Sequence, residues 1–353
     1  SNGVRGKDVL GYTSSDYSLG IAATWELDIW GKLRGQNRAQ YAAFLNSHAY
    51  RNLIQTSLIA NIATSYYSLL ALDEQLEITK ETIGLLLEST QTMQALMDAG
   101  MLTGASVEQS KALYYNTQIT VPNLESQIRS TENSLSVLLG RKPGAIERSD
   151  IEAQTVYDGM NHGIPMQMLA RRPDVQQAEL SFRSAFELTR SARAALYHSL
   201  TLGNGSMFGF AASTLSGIFK PENLLATVIG GLTMPIFAQG QLRGSLKIRK
   251  AQQEEALLTF EKTVLSAGQE VSDILFGYKA SLSKNGIRNK QIEALNNSVY
   301  FTQELLKAGE SNYTEVLTAQ QSLLSAQLSQ VSDKLEQLQY SVTLYKALGG
   351  GIE

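Results

Sequence analysis

The chain has 353 residues, more than one typical domain needs, and its 30 basic and 33 acidic residues leave a formal charge of −3. That balance offers no basic stripe for neutralising phosphates, so nucleic acid is not expected as a partner. The sequence has no Cys, which removes disulfides and thiolate metal sites, and three scattered histidines (His48, His162 and His198) cannot by themselves build a zinc site. No stretch reaches the roughly 18 uninterrupted apolar residues of a membrane-spanning helix, which leaves a β-barrel open.

The first predicted element is a strand over 17–27, where Tyr17, Leu19, Ile21, Ala23 and Trp25 alternate with Ser18, Gly20, Ala22, Thr24 and Glu26. A helix over 33–98 follows, since no Pro occurs from Gly31 to Val121; such a rod could extend about 100 Å. A turn at 98–106, with Gly100 as a C-terminal cap, leads to a helix over 106–139. That helix has a rough heptad seam in Val121, Leu124, Ile128, Leu135 and Leu138, and Pro122 is expected to kink it. A linker occupies 140–164.

Next comes a helix over 165–197, in which Pro173 suits a first helical position and Arg171 and Arg172, beside Asp174, are placed to pair with carboxylates. Strands over 199–210, rich in Gly203, Gly205 and Gly209, and over 224–237, with Val228, Ile229, Leu232 and Ile236, flank a loop at 213–222. A Pro-free helix over 242–307, a turn capped by Gly309 and a helix over 313–348 complete the chain. In the last helix Leu317, Leu324, Leu328, Val331, Leu335, Leu338, Val342 and Tyr345 fall at steps of seven or of alternating three and four, the pattern of a coiled-coil seam.

Gly31-Lys32-Leu33-Arg34-Gly35 is echoed by Gly240-Gln241-Leu242-Arg243-Gly244, 209 residues later. Ala99-Gly100 and Ala308-Gly309, and Gly140 and Gly349, keep the same offset. The reading is a tandem repeat of a strand and a long antiparallel helical hairpin, over 1–164 and 165–353. Because residue 1 matches residue 210, the first copy is expected to continue upstream of Ser1, with a signal peptide, a lipid-modified Cys, a helix and a strand. The few strands cannot close a barrel alone, and apolar open edges call for further copies.

The runs Trp25–Arg34, Leu169–Val175, Ala192–Ala195, Met234–Arg243 and Leu344–Gly351, in this order, together resemble motifs of the TolC-like outer-membrane factors of tripartite efflux systems, in particular the NodT-like lipoprotein branch. Trp25-Glu26-Leu27-Asp28-Ile29-Trp30-Gly31-Lys32-Leu33-Arg34 is similar to the segment where the first long helix of that family leaves the barrel. Leu169-Ala170-Arg171-Arg172-Pro173-Asp174-Val175 resembles its Arg-Arg-Pro-Asp box, and Ala192-Arg193-Ala194-Ala195 the run before its third strand. Met234-Pro235-Ile236-Phe237 with Gly240-Gln241-Leu242-Arg243 is similar to the second barrel exit, and Leu344-Tyr345-Lys346-Ala347-Leu348-Gly349-Gly350-Gly351 to the family's terminal motif. The resemblance implies a mainly α fold with a membrane β-barrel part. A homotrimer would give four strands per subunit to a twelve-stranded barrel, with the hairpins forming an α-barrel tunnel. It implies a passive exit duct in a Gram-negative outer membrane, in contact with its lipid and extending into the periplasm. The partners would be a periplasmic adaptor and an inner-membrane pump of the resistance-nodulation-division class. No cofactor and no catalytic residue are expected. The rival reading, a soluble coiled-coil structural or secretion scaffold, leaves the Gly-rich strands without a role.

In the resembled family the hairpin tips narrow the tunnel and touch the adaptor, which assigns that role to Gly100, Met101, Glu108, Gln109, Gly309, Thr314, Glu315 and Thr318. The acid common in the family's Leu-Asp-Ala-Gln is Thr318 here, leaving Glu315 and Glu108 as the nearby carboxylates. Met93, Met97 and Met101 recur every four residues; the spacing suits packing against a neighbouring helix, with Cu(I) or Ag(I) ligation as the alternative. Tyr17, Trp25 and Tyr197 are candidates for interfacial aromatic girdles. His198 stands where the family commonly has Pro, in a linker.

Overall fold

In the computed structural model the described residues are 4–7, 13–155, 166–202, 207–214, 216, 218–227, 229–233, 239–310 and 312–350. Gly203, Gly205, Val228, Pro235, Ile236 and His162 lie outside them. The elements in chain order begin with β1 (Val4–Lys7), β2 (Thr13–Ile21), β3 (Trp25–Leu27), α1 (Lys32–Asp98) and α2 (Gly104–Leu138). They continue with α3 (Pro173–Ala194), β4 (Ser199–Leu202), β5 (Met207–Ala212), β6 (Leu224–Thr227), β7 (Gly230–Thr233), α4 (Gln241–Lys307) and α5 (Tyr313–Ala347). α1 and α4 have 67 residues each, α2 and α5 have 35 each, and corresponding ends stand 209 positions apart. The chain divides into two compact units, Ser1–His48 with Gln176–Lys262 and Ala49–Val175 with Thr263–Glu353.

The first unit carries the strands in two antiparallel sheets, ordered β1-β2-β5-β6 and β3-β4-β7. Each strand expected from the sequence is therefore divided, one half going to each sheet. In the first of them the interruption is the unpaired 22–24 between β2 and β3. Side-chain alternation fixes which face a residue occupies but not how far its pairing partner extends, so such interruptions are invisible in it. β1 is an addition: Val4-Arg5-Gly6-Lys7 lacks a period-two apolar pattern and becomes a strand by pairing with β2, from Val4 opposite Asp16 to Lys7 opposite Thr13. Across β2 and β5, Gly20 faces Gly209, where a Cβ would collide with the Leu19 carbonyl, so no other residue fits. Leu19, Ile21 and Phe208 on these strands are all exposed, an apolar sheet surface.

Helix α3 is held against the start of α1 by small residues and hydroxyls. Gly35, Ala39, Ala42 and Asn46 recur at steps of four, three and four along α1; Ala39 and Ala42 are buried. At Gly35 an added Cβ would lie 3.2 Å from the Glu187 carbonyl oxygen, so the backbones approach closely. Ser184 Oγ donates to the Ala39 carbonyl (3.1 Å), Ser191 Oγ to Lys32 (2.9 Å), and Asn46 Nδ2 to Gln177 (2.8 Å). On α3 itself the helix starts at Pro173 rather than 165, and Met166–Arg171 forms a 3-10 turn. A residue before Pro avoids the α region, which places the break at Arg172.

The second unit is built on the remaining lengths of the four long helices. One cluster joins Leu70 and Ala71 of α1 to Ile151 of the linker and to Val331 and Leu338 of α5. A second, at the other end, joins Met93 of α1, Val107 of α2, Leu306 of α4, and Val316 and Leu317 of α5. Burying each such side chain contributes about 2 kcal/mol, so these clusters, rather than helix propensity, hold the rods together. α2 runs unbroken through Pro122.

Candidate functional site

The helix ends at 99–101 and 308–310 share one local geometry. At the first, Gly100 has φ +78°, its N–H donates to the Met97 carbonyl (2.9 Å), and the Met101 N–H reaches back to Leu96 (2.9 Å). At the second, Gly309 has φ +77°, with matching bonds from Gly309 to Leu306 (3.0 Å) and from Glu310 to Leu305 (2.9 Å). This is the Schellman closure, in which a left-handed glycine lets two amides satisfy the last carbonyls of the helix. The helices that follow start differently. Asn312 Oδ1 accepts from the Thr314 N–H (3.1 Å), whereas at Thr103 the backbone carbonyl accepts from Ser106 (3.1 Å) and the side chain makes no capping bond.

The turns are neighbours: a Cβ on Gly309 would lie 3.8 Å from Met101 Cε. Beneath them sits the Met93 cluster, with Leu96, Met97, Leu102 and Tyr313 packed on it. Met93 is 1% exposed and Met101 52%, so the methionine stripe runs from apolar core to surface, the packing arrangement expected of it. Glu108, Gln109, Thr314, Glu315 and Thr318 are exposed. The Glu108 carboxylate engages Lys111 Nζ at 2.8 Å, and Thr318 Oγ1 donates to the Thr314 carbonyl at 2.7 Å. Thr314, Glu315 and Thr318 also line one open groove with Leu295, Ser298 and Thr302 of α4.

The motif residues occupy helix ends. Asp28 accepts the N–H groups of Leu33 (3.0 Å) and Arg34 (2.7 Å) in the first turn of α1, and Arg34 Nε returns to the same carboxylate at 3.2 Å. Partial burial pushes the Asp28 carboxyl up, but these donors outweigh it and hold it below its ordinary value. Trp30 beside it stacks on Tyr197 (4.8 Å) and meets His198 edge-on (5.2 Å); Trp25 is exposed. Gly31 and Gly240 take φ +80° and +75° immediately before α1 and α4, and Arg243 is exposed in the first turn of α4.

Arg172 is buried and central. Its guanidinium donates to both oxygens of Asp174 (3.1 and 2.8 Å), to Glu270 Oε2 (2.6 Å) and to the Ala347 carbonyl (3.0 Å). Arg171 is exposed, and its contribution is backbone: a Cβ on Gly349 would lie 2.9 Å from the Arg171 carbonyl oxygen. The Arg-Arg-Pro-Asp box and the terminal Leu-Gly-Gly motif are thus two sides of one contact.

One ionic site has no signal in the motifs. Arg148 of the linker engages both oxygens of Asp73 on α1, and donates to Glu132 on α2 at 2.5 Å. Burial raises the Glu132 carboxyl, but Arg148, the Ile146 amide and Arg129 outweigh it and hold the group below its ordinary value. Nearby Glu74 is pushed up, by burial and then by Glu77, Glu152 and Asp150. On the second hairpin Arg288 Nε donates to Asp333 at 2.9 Å. These arrangements are structural: strong ion pairs between helices, with no nucleophile and base brought together among the described residues.

Comparison with known proteins agrees with this architecture. The sequence model of the outer membrane efflux protein family matches residues 2–141 and 164–350. The pyoverdine export outer membrane protein OpmQ of Pseudomonas putida is 32% identical over 344 residues, covering 96% of this chain and 72% of that protein. The toluene efflux pump outer membrane protein TtgF of Pseudomonas putida is 30% identical, covering 96% and 70%. Among solved structures the outer-membrane channel OprN superposes with a TM-score of 0.93 at 25% identity, covering 99% of this chain and 80% of that one. The chain belongs to the outer membrane efflux protein family, whose members are transport ducts of the Gram-negative outer membrane and not enzymes.

Proposed function

We infer that this outer-membrane efflux component works as a homotrimeric passive exit duct, opened and closed at the paired turns around Gly100 and Gly309. In this reading each copy contributes strands to a shared twelve-stranded barrel, and the hairpins of three copies form the tunnel. The observation that carries it is the pairing of the turns: two Schellman closures 209 residues apart, side by side over one apolar cluster. A tandem repeat of strand and hairpin accounts for the equal helix lengths and the common spacing of the left-handed glycines. The exposed apolar residues Leu19, Ile21 and Phe208 suit strands that meet lipid.

A periplasmic adaptor and an inner-membrane pump of the resistance-nodulation-division class supply docking and energy. Met101, Glu108, Gln109, Thr314, Glu315 and Thr318 form the exposed rim that lines the aperture or meets the adaptor. With Thr at 318, Glu108 and Glu315 are the carboxylates of this rim, and Glu108 is engaged by Lys111. The duct itself selects little, and in this reading Met93, buried in apolar core, packs against neighbouring helices rather than ligating copper or silver.

The test is conductance of the full-length protein in planar bilayers with Thr318→Cys. Channels should appear, and a bulky thiol reagent should reduce the current. Absence of channels would sink the duct; unchanged current after labelling would sink only the aperture assignment.

A further inference from the structure

A cleft of about 300 Å³ opens between α1, α4 and α5, apart from the rim of the turns. Its floor is apolar, with Leu86, Met93, Leu306 and Val316 all buried. On one wall stands Gln320, 7% exposed, and its Oε1 has no hydrogen-bond partner. A buried amide carbonyl in that condition carries the desolvation penalty of an unmade hydrogen bond. Gln320 lies on α5 beside Val316 and Leu317, positions that face the core, where a leucine would be the more stable choice. The amide is therefore a departure from good packing that a donor from outside the chain would relieve.

The mouth is net acidic, with two carboxylates and one ammonium, Lys307, which already lies in the field of Glu304 and Glu88. Glu81 and Glu88 are exposed carboxylates, while Lys307, the single basic residue among the described lining, is engaged by Glu304 at 2.8 Å. An anion would meet two carboxylates, and a neutral hydrocarbon would leave the Gln320 carbonyl unmet. The geometry points to a binding site for small amphipathic cations with an N–H donor. The donor bonds Gln320 Oε1, the apolar body lies on Leu86, Met93 and Leu306, and the positive charge sits in the field of Glu81 and Glu88. This site lies beneath the paired turns and shares their apolar cluster, but none of the rim residues lines it, and its binding test does not depend on conductance through the duct.

Binding can be followed by fluorescence anisotropy of dansylcadaverine, a primary ammonium with an apolar body, on the full-length protein in detergent micelles. Saturable binding is expected, about tenfold weaker in Gln320→Leu, where a hydrogen bond to a charged donor is lost. Glu88→Gln and the uncharged N-acetyl derivative should each bind several-fold more weakly, and Ser89→Trp, which fills the cleft, should abolish binding. Gln320→Leu should melt at or above the wild-type temperature, which separates lost binding from lost folding. Wild-type affinity in Gln320→Leu, undiminished signal in Ser89→Trp, or no saturation at all would each overturn the site.

Discussion

Arg172 Nη1 donates to the carbonyl oxygen of Ala347, 175 positions further along the chain, at 3.0 Å. The residue before α3 thereby satisfies a carbonyl in the last turn of α5, which no amide of its own helix can reach. Replacing Arg172 with Met leaves that carbonyl, Asp174 and Glu270 without their common donor. Stability should fall by about 2–4 kcal/mol, read as a lower thermal unfolding midpoint. Arg172→Lys should recover only part, because a single ammonium cannot serve three acceptors in a fixed fork. Wild-type melting in Arg172→Lys would show the fork to be dispensable.

Two glycines with the same backbone twist should respond differently to alanine. Gly100 has φ +78° and nothing within 4 Å of an added Cβ, so Gly100→Ala bears only the left-handed penalty, about 1 kcal/mol. Gly349 has φ +74°, and its Cβ would also strike the Arg171 carbonyl at 2.9 Å. Gly349→Ala should therefore cost about 2–3 kcal/mol or more. Equal melting points for the two variants would refute the close contact.

The Arg148 site should make the first hairpin sensitive to acid. The folded Glu132 carboxyl lies below its ordinary value of 4.5. Its stabilisation is thus fully present above about pH 4.5 and drains away as pH falls through the folded value. Melting temperature should drop across that acidic window, and the drop should be shallower in Glu132→Gln, which has no such proton to bind. Glu132→Gln should also be less stable at pH 7. An identical acid slope in both proteins would mean the pair does not titrate with folding.

Met93 offers a test of packing against metal binding. Met93→Ala should cost about 3 kcal/mol through the cavity it leaves, whereas Met93→Leu, close in volume, should cost less than about 1.5 kcal/mol. The readout is unfolding by denaturant, with Cu(I) titration in parallel. Specific Cu(I) uptake that disappears in Met93→Leu would restore the ligand reading.

What the sequence makes legible is what depends on local chemistry. Pro-free runs announce the long helices, and Gly100 and Gly309 mark their ends because only a left-handed residue closes a helix in that way. The Arg148, Asp73 and Glu132 site is illegible because its members lie 75 and 16 positions apart on three different segments, and no periodicity links a linker arginine to two helix faces. The division of each strand between two sheets is hidden for a related reason: pairing is decided by the partner strand. Gly35, Ala39 and Ala42 show a third case, since small residues in a helix look like weak packing until the neighbouring backbone is seen to occupy the space. The cleft at Gln320 was hidden although Gln320 closes the Leu317-Thr318-Ala319-Gln320 run, because a motif does not show whether an amide oxygen finds a partner.

Pro122 lies exposed in the middle of α2, while the position 209 further on, in the equally long α5, is Val331, 5% exposed and part of an apolar cluster. The proline withholds one amide from the helix ladder, and its ring presses on the preceding turn. The two arms of equal length are therefore mechanically unlike. A push delivered along α2 meets a ladder short of one hydrogen bond at that step, whereas along α5 it meets a complete ladder anchored through Val331 and Leu338.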